Sequence, residues 1–123
     1  MDNINVDDLI TNILNRANGI VDCLPFHLQE NIREVIKCVS YFSIEHGINY
    51  DNENFFYYCK LKGENLYMCL NNISRDLGIC NLLFPENVYL EDAAHNIGII
   101  FSFMSNHGYE FDSCCNSGKR MIK

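Results

Sequence analysis

Seven cysteines and four histidines are among the side chains of this chain that could ligate a metal, attack a carbonyl or carry a proton. The cysteines are Cys23, Cys38, Cys59, Cys69, Cys80, Cys114 and Cys115, an odd count with no Cys-x-x-Cys spacing. Cys38 and Cys69 fall at equivalent points of a helical pattern, where a thiol packs as a small hydrophobe, so the set reads as reduced core residues rather than as ligands or disulfides. Cys114-Cys115 lies in a turn-rich stretch; neighbours in sequence pair poorly with each other but can oxidise or crosslink two chains. His46 and His107 each precede a glycine directly, where an imidazolium suits the negative end of a helix, and His27 and His95 lie at helix starts or breaks. Gly118-Lys119 lacks the upstream glycine of a phosphate loop, and neither Gly-x-Ser-x-Gly nor His-Glu-x-x-His occurs. Asn72-Ile73-Ser74 matches a glycosylation sequon but falls within a predicted helix. These residues predict no enzyme, no cofactor and no metal site.

The elements that must position them are marked by a phrase that recurs four times. Gly19, Gly47, Gly78 and Gly108 stand 28, 31 and 30 residues apart. Nine residues before them are Ile10, Cys38, Cys69 and Ile99; five before are Leu14, Phe42, Ile73 and Phe103; one after are Ile20, Ile48, Ile79 and Tyr109. All are apolar in a chain that is 48% apolar, and positions four apart share a helical face. A glycine just past the last apolar position can take the left-handed backbone that ends a helix. The repeating unit therefore reads as helix, glycine stop and apolar re-entry.

Along the chain this predicts a helix over 6–18, a short segment over 25–30 followed by a helix over 32–46, and a polar tip at 51–54. An aromatic short helix over 55–61 precedes a helix over 64–77. A short helix over 85–94 is then broken at His95-Asn96 and followed by a second over 97–107, with a closing loop over 108–118. The expected class is all-α in a single domain, with units 6–23, 24–52, 53–83 and 84–118. At 123 residues the chain is one domain's worth. Its net charge of −7 speaks against nucleic acid and anionic membrane as partners. No apolar run approaches the roughly 20 residues of a membrane span, and the acidic start Met1 to Asp8 is unlike a signal peptide, so a cytoplasmic protein is expected.

Several of these segments resemble the ankyrin repeats. Leu90-Glu91-Asp92-Ala93-Ala94 is similar to that family's Leu-His-x-Ala-Ala, and Pro25-Phe26-His27-Leu28 to its Pro-Leu-His-Leu. Gly47-Ile48-Asn49-Tyr50-Asp51 and Gly108-Tyr109-Glu110-Phe111-Asp112 are similar to its Gly-Ala-Asp-Val-Asn. The resemblance implies a short solenoid of stacked helix-turn-helix units over residues 6–123 and a non-enzymatic adaptor that binds another protein. The Asn- and Ile-rich composition is similar to that of repeats in large DNA viruses, which implies a host-interaction factor in the host cytoplasm.

In such a stack the ligand meets the loop tips and short helices, which implies contacts at Asn52, Glu53, Phe55, Tyr57, Glu86 and Tyr89. Phe55-Phe56-Tyr57-Tyr58 puts four rings in a row, more than one face of a short helix can bury. A second resemblance stands beside the first. His95-Asn96-Ile97-Gly98-Ile99-Ile100-Phe101 is similar to the Asn-Trp-Gly-Arg helix start of viral Bcl-2-like apoptosis inhibitors, with Ile97 in place of the tryptophan and Ile99 in place of the arginine. That reading implies a groove that holds an amphipathic BH3 helix.

Overall fold

Asparagine starts three of the four long helices in the computed structural model, which describes residues 5–50 and 63–106. Asn5 opens α1 (Val6–Ile20) by accepting the Asp8 amide at 3.3 Å, and Asp7 and Asp8 lie in the first turn, where the helix dipole favours them. α2 (Phe26–Glu45) follows Pro25 after a 3₁₀ turn at Val21–Cys23. Asn65 opens α3 (Leu66–Leu83) through the Met68 amide at 2.8 Å. Asn87 opens α4 (Val88–Asn106) through the amides of Tyr89 and Leu90.

Helices α1 and α2 reverse through residues 21–25, and α3 and α4 through 84–87, giving two hairpins. α1 packs on α2 and α3, and α4 packs on α2 and α3. Between α2 and α4 the close pairs are His27 with Phe103, Asn31 with Asn96, Cys38 with Asp92 and Tyr41 with Tyr89. One partner's number rises as the other's falls, so α2 and α4 run antiparallel. All four helices contribute to one core, including Ile13 and Leu14, Val39 and Phe42, Leu70 and Ile73, and Ile97 and Ile100.

The all-α expectation holds for the described residues, whereas the predicted pairing of a short with a longer helix is not seen at 25–46 or 85–106. The spans predicted as 25–30 and 32–46 form one helix, α2. His95-Asn96 breaks nothing: Asn96 donates to the Asp92 carbonyl one turn back at 2.9 Å and accepts from Asn31 at 2.9 Å, so its amide is satisfied inside a continuous α4. Stacked copies of one unit would also keep equivalent helices parallel, unlike α2 and α4. The expected short helix at 55–61 and closing loop at 108–118 lie outside the described residues.

The four stop glycines divide. Gly47 has φ +63 and ends α2 as expected, with Ile48 donating to the Ser43 carbonyl at 2.9 Å. Gly78 lies inside α3, which runs on to Leu83 and ends ahead of Pro85, because a residue before proline avoids helical geometry. α1 continues past Gly19 to the buried Ile20, and Gly108 lies outside the described residues. The columns Ile10, Cys38, Cys69 and Leu14, Phe42, Ile73 are buried through the first three units, whereas after the glycine Ile20 is buried and Ile48 and Ile79 are only half-buried. In α4 the buried positions slip by one, to Ile100 and Met104, leaving Ile99 exposed and Phe103 half-buried against His27.

Two expectations follow for stability. Phe42→Ala should cost about 3 to 5 kcal/mol and Ile73→Ala about 2 to 5 kcal/mol in urea denaturation, with Phe103→Ala the mildest of the three because its ring is only half-buried. Gly47→Val should destabilise through its positive φ, while Gly78→Ala should stabilise by about 0.5 to 1 kcal/mol, since an added Cβ there meets nothing within 4 Å.

Candidate functional site

The α3–α4 turn carries the densest exposed apolar surface in one stretch of the described chain. Within Leu82 to Tyr89, Leu82 is 82% exposed and Val88 68%, and Leu83 is also exposed. Phe84 turns the other way and lies 5.0 Å from Phe42 and 4.9 Å from His46, ring centre to ring centre, which fastens the turn to the end of α2. Pro85 and Glu86 then carry the chain over, with Glu86 at φ +69. Tyr89 leans on Tyr41 of α2 at 5.6 Å, and half of Tyr41 remains exposed. The result is an apolar knuckle with Glu86 in its turn and Glu91 in the first turn of α4.

Of the six contact residues expected from sequence, Glu86 and Tyr89 fall in this knuckle. Asn52, Glu53, Phe55 and Tyr57 lie outside the described residues. His46 occupies the C-terminal cap of α2 as expected for a residue before a stop glycine, stacked on Phe42 at 4.5 Å. The Bcl-2-like segment is not a helix start: Asn96 lies mid-helix, and Asn96, Ile97 and Ile100 are buried.

Two polar clusters escaped the sequence reading. In the first, Arg16, Glu64 and Asp76 are 4%, 4% and 2% exposed. Arg16 donates through Nε and Nη2 to the two Glu64 oxygens at 2.8 and 2.6 Å, and its Nη1 is 3.8 Å from Asp76 Oδ2. Glu64 also accepts from the Cys69 thiol and the Asn72 amide, and Asp76 Oδ1 accepts from Arg75. Burial raises the Asp76 carboxyl above its ordinary value, against the opposing pull of Arg75 and then Arg16. The available signal was local: Arg16 stands three residues after Ile13 and four before Ile20, and Asp76 three after Ile73 and four before Cys80, both on the apolar stripe.

In the second cluster, Cys38 of α2 donates to Asp92 Oδ2 of α4 at 3.3 Å, with Glu34 Oε2 at 3.7 Å. Burial, then the hydrogen bond and charge of Asp92, push the Cys38 thiol up to about 12. Burial likewise raises Cys80 to about 11. Cys23, Cys38, Cys69 and Cys80 are in no disulfide.

No protein-family model, curated protein or solved structure matches the chain. No described helix is long and apolar enough to cross a membrane.

The raised Asp76 pKa gives a signed prediction. The folded chain holds that proton more tightly than the unfolded chain, so the contribution of Asp76 to stability is fully present at low pH and is lost as pH rises through the raised value. Urea titrations of wild type and Asp76→Asn from pH 4 to pH 7 should show the stability of the variant improving relative to wild type as pH rises. A difference that stays flat, or runs the other way, is incompatible with a carboxyl whose pKa burial raises.

Proposed function

We propose that the chain is a non-enzymatic binding module that engages another protein at the α3–α4 turn. The observation that carries this is the exposure of Leu82, Leu83 and Val88 on a turn held in place by Phe84. Single exposed apolar residues are ordinary, whereas several in one short anchored stretch leave an apolar surface that a partner can bury at low cost in conformational entropy. Glu86 and Tyr89, contact residues expected from the sequence, belong to this turn. Glu86, Glu91 and the net charge of −7 favour a partner with lysine or arginine around an apolar centre. Four buried or half-buried cysteines outside any disulfide are in keeping with a reducing compartment such as the cytoplasm.

The test compares partner capture by wild type, by Leu82→Asp/Val88→Asp and by Phe26→Asp. Phe26 is 85% exposed at the opposite end of α2 and serves as the control. The double variant should bind at least about tenfold more weakly, as expected when apolar anchors worth about 2 kcal/mol are lost, while Phe26→Asp binds as wild type does. Binding should also weaken as salt is raised. Undiminished capture by the double variant, with its helical circular dichroism intact, would remove the turn as the binding surface.

A further inference from the structure

We propose that Glu34, Cys38 and Asp92 form a site for a thiophilic divalent cation of the zinc class, clamping α2 to α4. Glu34 and Cys38 are four residues apart on one face of α2, and Asp92 comes from the antiparallel α4. The Cys38 sulfur and one oxygen of each carboxylate lie within 4.8 Å of one another. Sulfur and oxygen ligands at tetrahedral angles on zinc are separated by about 3.6 Å, and the two sulfur–oxygen distances here are 3.3 and 3.7 Å.

The other oxygen of each carboxylate is already engaged. Lys37 Nζ lies 3.5 Å from Glu34 Oε1, and the Asn96 amide lies 3.4 Å from Asp92 Oδ1. Asn96 is itself held by Asn31 and by the Asp92 carbonyl. Oε2 and Oδ2 are thus the oxygens turned to the sulfur, with supporting hydrogen bonds behind one of them of the kind that orient metal ligands. Cys38 is 4% exposed, and among the described residues its sulfur is hydrogen-bonded to those two oxygens. One thiol proton can be donated to only one of them, which leaves the second carboxylate facing sulfur with no positive charge between. A divalent cation supplies that charge to all three groups, and water can complete its coordination from the exposed Asp92 side.

Binding releases the thiol proton to solvent as the metal–sulfur bond forms, with no change of oxidation state. The thiolate selects zinc, cobalt or cadmium over magnesium and calcium, which prefer all-oxygen shells.

Cobalt(II) titrated into the reduced full-length chain tests the site, because thiolate ligation produces a sulfur-to-cobalt charge-transfer band in the near ultraviolet. One equivalent should saturate the band, with zinc displacing cobalt. Cys38→Ser should abolish it, Asp92→Asn should weaken cobalt binding at least tenfold, and Cys114→Ser/Cys115→Ser should leave it intact. Where Cys38→Ser lowers the helical circular dichroism, Asp92→Asn decides, since it keeps both the thiol and the side-chain size. No band, a band untouched by Asp92→Asn, or one removed by the Cys114 and Cys115 substitutions overturns the proposal.

Discussion

Arg16 is the tie on which the seating of one hairpin against the other depends. Its guanidinium reaches from α1 to Glu64, just ahead of α3, and on toward Asp76 about three turns further along. Removing these ionisable groups from water is expensive, and a well-packed apolar trio can match the stability of such a network. What the charges add is selectivity of position. An apolar stripe tolerates a slide of one turn with small loss, whereas a guanidinium displaced by one turn is a buried charge without its counter-charge. The two-pronged contact with Glu64 therefore fixes the register of α1 on α3, and with it the knuckle at the far end of the hairpin.

Amide side chains do the complementary work. Asn5, Asn65 and Asn87 satisfy the orphan backbone donors at helix starts, while Asn18 and Asn96 bond back to carbonyls four residues earlier inside helices. The same residue type opens one helix and continues another. The outcome depends on what stands opposite, and Asn96 has Asn31 of α2 there. The proposed cation site borrows this arrangement, since the amide that keeps α4 unbroken also fixes the Asp92 oxygen that faces away from sulfur.

The sequence was legible where local chemistry decides and misleading where a contact distant in the chain decides. The helical class, the stripe of α1, the Gly47 stop and the cap role of His46 follow from periodicity and from backbone preference alone. Gly78 shares the phrase of Gly47 but not its conformation, because Leu77 and Cys80 stay buried on either side and carry the helix forward. The break expected at His95-Asn96 failed for want of knowledge of Asn31, and two adjoining helical segments became one, so a pattern of paired short helices turned into single long ones. Glu86 and Tyr89 were reached from a loop-tip argument, but Leu82, Leu83 and Val88 read as ordinary apolar positions until their exposure was seen. Arg16 and Asp76 were visible as charges on apolar stripes, and Cys38 was read correctly as buried but without its carboxylates.

The pairing of α1 with α3 and of α2 with α4 has a kinetic consequence. Each hairpin closes through a connection of only a few residues and can form from local contacts, on the microsecond scale of small helical units. Their union is different. α2 ends beside Phe84, whereas α3 begins beside Phe101, so residues 46–65 must carry the chain from one end of the bundle to the other before Arg16 can meet Glu64 across 48 residues of sequence. The entropy of closing that loop is spent before any of the buried charges are neutralised. Docking the two hairpins therefore carries the larger loop-closure cost, and until it happens Arg16, Glu64 and Asp76 stay hydrated.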